Sequence, residues 1–177
     1  MGGWDRGLDY EEAYGRILRV MSKNKRHTKC YDAVLLLQLR NGARISEALR
    51  AFLEYMRGSA KYHPRSRKLV VTVHVAKKKR PEERLIVIPE ELGDVDLSEC
   101  RELLEKGDLF ALKRRIEQYA RDKYSFNTHS LRYAFITYLL MRGVNPSIVA
   151  KITRHSRLDF ILRYTQEKRA EDVLLGD

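Results

Sequence analysis

The residues best suited to chemistry gather in the last third of the chain. His129 and Arg132 stand three apart at the start of a predicted helix, so both side chains leave one face near its N-terminus. That end also offers free backbone N–H groups and a partial positive charge, a combination that suits a phosphate. His155 follows Arg132 by 23 residues, directly after another predicted helix, and Tyr164 follows His155 by nine. Far upstream, Asn41-Gly42-Ala43-Arg44-Ile45-Ser46-Glu47 sets an arginine just past a helix-ending glycine, with Glu47 three residues on. Each feature alone is commonplace, because most helical arginines and histidines are structural or solvated and most tyrosines pack.

The elements that must position these residues are mostly helices. Asp9 with Glu12 reads as a cap opening a helix to about Met21, and Thr28 as the cap of a second that Asn41-Gly42 stops. A short helix is expected from Ile45 to Ala51. Lys68 to Val75 and Leu85 to Ile88 read as two strands joined by a polar turn, Ala76 to Glu83, that contains Pro81. Further helices are predicted at about Ser98 to Lys106, Leu109 to Lys123, Ser130 to Arg142, Pro146 to His155 and Leu158 to Arg169.

The chain has 177 residues and a formal net charge of +11, which fits one globular unit attracted to phosphate polymers. Arg16 to Lys29 holds six basic residues and no acid, Arg57 to Arg84 holds ten against Glu82 and Glu83, and Glu90 to Asp108 holds eight acids against Arg101 and Lys106. Such alternation suggests a positive face for the ligand and an acidic face turned away. Apolar runs such as Val34 to Leu37 are far too short to cross a bilayer, and no secretory leader is recognisable, so the expectation is a soluble, intracellular, cytoplasmic and nucleoid-associated protein without a membrane partner. Cys30 and Cys100 fall in separate predicted helices without ligand-like spacing and read as reduced thiols, neither a disulfide nor a zinc site.

Together the boxes resemble the catalytic domain of the tyrosine recombinase, or phage integrase, family. Thr128-His129-Ser130-Leu131-Arg132-Tyr133-Ala134-Phe135 is similar to its H-x-L-R box, and Ser147 to Ser156 to the helix ending in Gly-His-Ser. Arg163-Tyr164-Thr165 stands where the family's tyrosine is expected, and Ala43-Arg44-Ile45-Ser46-Glu47-Ala48-Leu49 resembles the first arginine box. The likeness runs from about Thr28 to Arg169. Two departures stand out: Arg154 replaces the glycine usual before the histidine, and nothing before Tyr10 can supply the N-terminal helical clamp of the family. Residues 1–177 therefore read as one catalytic domain, a half of a longer protein or one piece of a split gene.

The resemblance implies an α+β, mainly α-helical fold with a small β-hairpin or three-stranded sheet. It implies a site-specific recombinase of an archaeal or viral mobile element, acting on double-stranded DNA as a homo-tetramer and existing as monomer or weak dimer without it. Tyr164 would be the nucleophile, giving a 3′-phosphotyrosyl link and a free 5′-hydroxyl. Arg44, Arg132, His129 and His155 would cradle the phosphate, and a lysine would protonate the leaving oxygen. Counting back from Glu83-Arg84 selects Lys79 for that lysine, counting forward from Val75 selects Lys78, and Lys77 competes; Lys79 is favoured. Lys77, Lys78, Arg80 and Arg154 are candidate DNA contacts, and Glu47 reads as orienting an arginine or histidine, with an exposed helical ion pair as the alternative. No metal or other cofactor is expected. Two other functions share the same residue types, a type IB topoisomerase-like enzyme and a non-catalytic basic DNA-binding module. The apolar tail Val173-Leu174-Leu175 would dock either on a neighbouring protomer or in cis.

Overall fold

The computed structural model describes residues 7–176, all but Phe160 and Tyr164 to the level of their side chains. Helix α1 (Tyr10–Lys23) opens at Asp9, whose carboxylate accepts the Glu12 N–H at 2.8 Å. Helix α2 (Lys29–Asn41) is buried almost all round and forms the centre of the molecule, its Lys29, Asp32, Gln38 and Asn41 buried along with the apolar residues. Thr28 precedes it but does not cap it; its hydroxyl accepts from Asn24 Nδ2 at 2.9 Å. Gly42 ends α2 in the left-handed conformation (φ +57°), where any side chain would collide with the Phe135 ring. Helix α3 (Ile45–Met56) runs five residues past the predicted end, because Phe52 and Leu53 continue its buried face.

The strands are β1 (Lys61–Tyr62), β2 (Leu69–His74) and β3 (Glu83–Val87), antiparallel in the order β1-β2-β3 with Val71 opposite Ile86 and Val73 opposite Arg84. Period-two alternation turns Val71, Val73, Ile86 and also Arg84 toward the core. A 3₁₀ turn (Glu90–Asp94) leads to α4 (Ser98–Lys106) and α5 (Leu109–Tyr124), followed by α6 (Thr128–Met141), α7 (Pro146–Thr153) and α8 (Asp159–Leu175). The fold is thus mainly helical with one small three-stranded sheet.

Two apolar clusters divide the interior. The larger joins α1 to α5, the sheet and the N-terminal half of α6; the smaller contains Ile136, Leu140, Val149, Leu158 and Ile161 from α6, α7 and α8. Helix α6 crosses both, so its first turns are clamped in the main core while its later turns carry α7 and α8. Tyr10 of α1 stacks on Tyr138 at 4.2 Å and tilts against Phe135, fixing α6 from the other side.

Several expectations need correction. Cys30 and Cys100 are joined in a disulfide, 70 residues apart with Cα atoms 5.7 Å apart. Spacing along the chain carries no sign that α4 folds back beside the start of α2, which is what brings the thiols together. The charge blocks are not on opposite faces either. Lys29 lies 3.7 Å from Glu99, and Arg19 and Lys25 share a surface hollow with Glu91, Asp94 and Asp96. Helix α7 stops before His155, at Thr153, and α8 continues well past Arg169, since nothing before Gly176 breaks it. Val173, Leu174 and Leu175 end that helix 75–84% exposed and so do not pack in cis. Among the described residues no helix is long and apolar enough to cross a membrane.

Candidate active site

Glu47 sits in the first turn of α3, fully buried, and its carboxylate organises the surrounding cations. Oε2 accepts from Arg44 Nη1 at 3.1 Å and from the Ala76 N–H at 3.1 Å; Oε1 accepts from Arg84 Nη1 at 3.2 Å. Arg132 Nη1 lies 4.0 Å from the same Oε1. One carboxylate thus faces three guanidiniums, and the corner keeps a local surplus of positive charge. A surplus at a largely buried corner draws an anion more strongly than surface lysines do.

Arg84 was not among the sequence candidates. The signal was present: Ile86 and Ile88 mark the inward face of β3, and the same alternation points Arg84 inward. Its Nη2 donates to the Asn41 carbonyl at 2.7 Å, and burial lowers its pKa against the raising effect of Glu47. Asn41 completes the brace. Its Nδ2 donates to the Leu37 and Val87 carbonyls, at 3.0 and 2.9 Å, and its Oδ1 accepts the Val87 N–H at 2.8 Å. The loop carrying Arg44 is therefore tied to the sheet on both sides.

His129 and Arg132 stand in the first turns of α6, which begins two residues earlier than predicted because Asn127 Oδ1 accepts the Ser130 N–H at 3.0 Å. Arg132 is 1% exposed. It donates through Nη1 to the Gly42 carbonyl at 3.1 Å and through Nη2 to the Thr153 carbonyl at 2.9 Å, joining the ends of α2 and α7. Burial, and then Arg44, pushes its pKa down to about 9, so it remains a cation at neutral pH.

The His155 ring lies against that guanidinium, Nδ1 being 3.0 Å from Arg132 Nη2 and 3.0 Å from Thr153 Oγ1. Helix α7 closes with Arg154 left-handed (φ +60°) and the His155 N–H bonded to the Ala150 carbonyl, so His155 projects from the turn after the helix. Burial first, then Arg132 and Arg44, drives the His155 pKa down to about 3; burial and the charges of Arg132, Lys77 and Arg44 lower that of His129 as well. Both imidazoles are neutral at pH 7, and His155, with a pKa of about 3, is a weak proton acceptor.

A measurable consequence follows from His155. Its NMR-observed imidazole should show no titration between pH 5 and 8. The unfolded chain takes up that proton near the ordinary value of 6.5 and the native site does not, so this group weakens the fold as pH drops from 6.5 toward 3. An imidazole that titrates near 6.5 would show that the cationic corner is not closed around it.

The turn between β2 and β3 brings Lys77, Lys78, Lys79 and Arg80 to the rim, all exposed. Lys78 Nζ lies 3.8 Å from Glu82 Oε2, Lys77 is left-handed (φ +61°) with a charge that reaches His129, and Lys79 forms no bond or ion pair among the described residues. Arg154 donates to Glu82 and to the Glu83 carbonyl and so is held on the hairpin. Tyr164 belongs to α8 by its backbone, with a side chain outside those described. Thr165 beside it is buried, its hydroxyl donating to the Ile161 carbonyl at 3.0 Å.

A helical domain with a three-stranded sheet, whose first arginine follows α2 and whose His-x-x-Arg turn opens α6, defines a recognisable class. The chain is similar in fold to the solved structure of the XerH site-specific recombinase bound to its difH substrate in a pre-cleavage complex, with a TM-score of 0.61 at 14% identity. The match covers 97% of this chain and 53% of that one, so this chain spans about half the length of that recombinase, and the likeness is one of fold. No protein-family model matches. The chain is 34% identical to a candidate integrase of Acidianus two-tailed virus, over 98% of its own length and 68% of that protein, and 27% identical to a candidate integrase of Sputnik virophage. An uncharacterized protein of Methanocaldococcus jannaschii is 32% identical over 99% of this chain and 90% of that one. The chain belongs to the integrase family of tyrosine recombinases.

Proposed function

We propose that the chain is the catalytic domain of a site-specific DNA recombinase that cleaves and rejoins one strand at a time through a phosphotyrosyl link on Tyr164. The observation that carries the reading is the convergence of Arg44, Arg132, His129 and His155, from the residue before α3, from α6 and from just after α7, on one corner organised by a buried glutamate. Packing does not require four such groups together, whereas charge building on a pentavalent phosphorus does.

In this reading Arg44, the least covered of the three arginines around Glu47, forks onto a non-bridging oxygen. Arg132 supplies charge from the floor of the site. His129, neutral at pH 7, takes the phenolic proton as Tyr164 attacks phosphorus in line and the P–O5′ bond breaks, while His155, with a pKa of about 3, stays neutral beside Arg132. The leaving 5′-oxygen receives its proton from the hairpin turn, where Lys79 is the assignment and Lys77 the comparison variant. Phosphate contacts elsewhere on the duplex would come from the exposed Lys77, Lys78 and Arg80. More would come from a cavity of about 800 Å³ at the far end of α2, lined by Arg19, Lys23, Lys25, Arg26 and Lys123. On DNA the active assembly is a homo-tetramer, the exposed Val173-Leu174-Leu175 end of α8 seating on a neighbouring copy.

The test is covalent trapping on a nicked duplex that releases a short strand after cleavage. A protein–DNA adduct with a free 5′-hydroxyl on the released strand should form at full rate in excess EDTA, because arginines and a lysine provide the positive charge. Strict dependence on magnesium would assign the site to another class of phosphoryl transfer.

A further inference from the structure

We propose that Arg154 is a positioning residue that latches the lysine-bearing turn between β2 and β3 onto the corner holding His155. Its effect on cleavage rests on the function proposed above.

Where the resembled family carries glycine, this chain carries an arginine with a left-handed backbone (φ +60°), a conformation unfavourable for any residue with a Cβ. The side chain gives the position its use. Nη1 donates to Glu82 Oε1 at 3.1 Å and Nη2 to the Glu83 carbonyl at 3.1 Å, contacts spanning more than 70 positions of sequence. Glu82 in turn draws the hairpin closed. Its Oε2 lies 3.8 Å from Lys78 Nζ, and its carbonyl accepts the Val75 N–H at 2.7 Å. The opposite root of the turn is fixed by the Ala76 N–H on Glu47 at 3.1 Å. The turn is therefore pinned at both ends, to α3 through Glu47 and to the end of α7 through Arg154. Lys77, Lys78 and Lys79 lie between the pins. With one pin gone the turn keeps its strands but loses its fixed distance to His129 and His155.

Two variants test this, Arg154→Gly and Glu82→Gln, and neither removes a group of the proposed phosphate cradle. The first readout needs no cleavage: the imidazole pKa of His129 by NMR, which is set by burial and by Arg132, Lys77 and Arg44. Release of the turn withdraws Lys77, so the pKa should rise in both variants toward the value seen in Lys77→Ala. The direct charge changes of the two variants have opposite signs, so a rise shared by both reports movement of the turn.

The second readout is single-turnover cleavage of a nicked duplex carrying either the ordinary phosphate or a 5′-bridging phosphorothiolate, whose sulfur leaves without a proton. Arg154→Gly should slow the ordinary substrate by about tenfold, a fraction of what general acid catalysis supplies, and the phosphorothiolate should remove most of that defect. Its melting temperature should match or exceed the parent's, since glycine suits the left-handed backbone. An unchanged His129 in both variants would overturn the latch, as would equal slowing on both substrates. A parent protein that forms no adduct on either substrate would end the strand-cleavage reading, while the NMR comparison still decides whether the latch exists.

Discussion

Replacing Tyr164 by phenylalanine is expected to abolish covalent attachment to DNA and to leave duplex affinity unchanged. The change deletes one oxygen and keeps the ring, so helix α8 and its seat on Ile161 and Leu158 against α6 are retained. The proposed phosphate cradle, Arg44, Arg132, His129 and His155, does not include α8, so affinity for the backbone should survive. What is lost is the atom proposed to bond phosphorus, for which a neighbouring group is no substitute because in-line attack needs both a nucleophile and its geometry. Denaturing gel analysis of the nicked duplex reads the adduct, and fluorescence anisotropy reads affinity on the same preparation. An adduct that persists in Tyr164→Phe would move the nucleophile to another residue.

Much of this architecture was legible in the sequence because it is written in local signals. The Asp9 cap, the Asn41-Gly42 stop, the alternation of Leu69 to Val75 and Pro146 at the start of α7 are each decided within a turn or two of the chain. The order of the boxes placed Arg44, His129, Arg132 and His155 as a set, and the fold gathers those four at one corner. What escaped depends on contacts between distant segments. The Cys30–Cys100 disulfide exists because α4 returns to α2, the inward Arg84 matters because Glu47 of α3 packs against the sheet's inner face, and Lys29 meets Glu99 where separate charged faces were expected. The choice among Lys77, Lys78 and Lys79 is of the same kind, since a turn's reach is set by what pins it. Counting residues from either strand gives different answers for that reason.

Glu47→Ala should carry the largest stability cost of any single change near the site. The carboxylate is fully buried, and removing it leaves Arg84, 2% exposed at its side chain, and Arg132, 1% exposed, facing each other across an emptied space. Breaking a buried ion pair from one side typically costs about 3–5 kcal/mol. In a domain of this size that lowers the melting temperature by roughly 6–20 °C. Cleavage should fall as well, for a separate reason. Arg44 loses its 3.1 Å tether, and the β2–β3 turn loses the acceptor of its Ala76 N–H. The paired variant Glu47→Leu with Arg84→Met separates the two effects. Apolar side chains of similar volume can replace a buried pair at little cost, so thermal stability should recover, while cleavage should stay low because Arg44 and the turn remain unanchored. A shift of under about 2 °C for Glu47→Ala would show that solvent already compensates those arginines. Recovery of cleavage together with stability in the paired variant would reduce Glu47 to a folding role. Stability regained without cleavage would show that the buried charge sets the position of Arg44 and of the lysine turn, the two elements that the proposed mechanism brings to the phosphate.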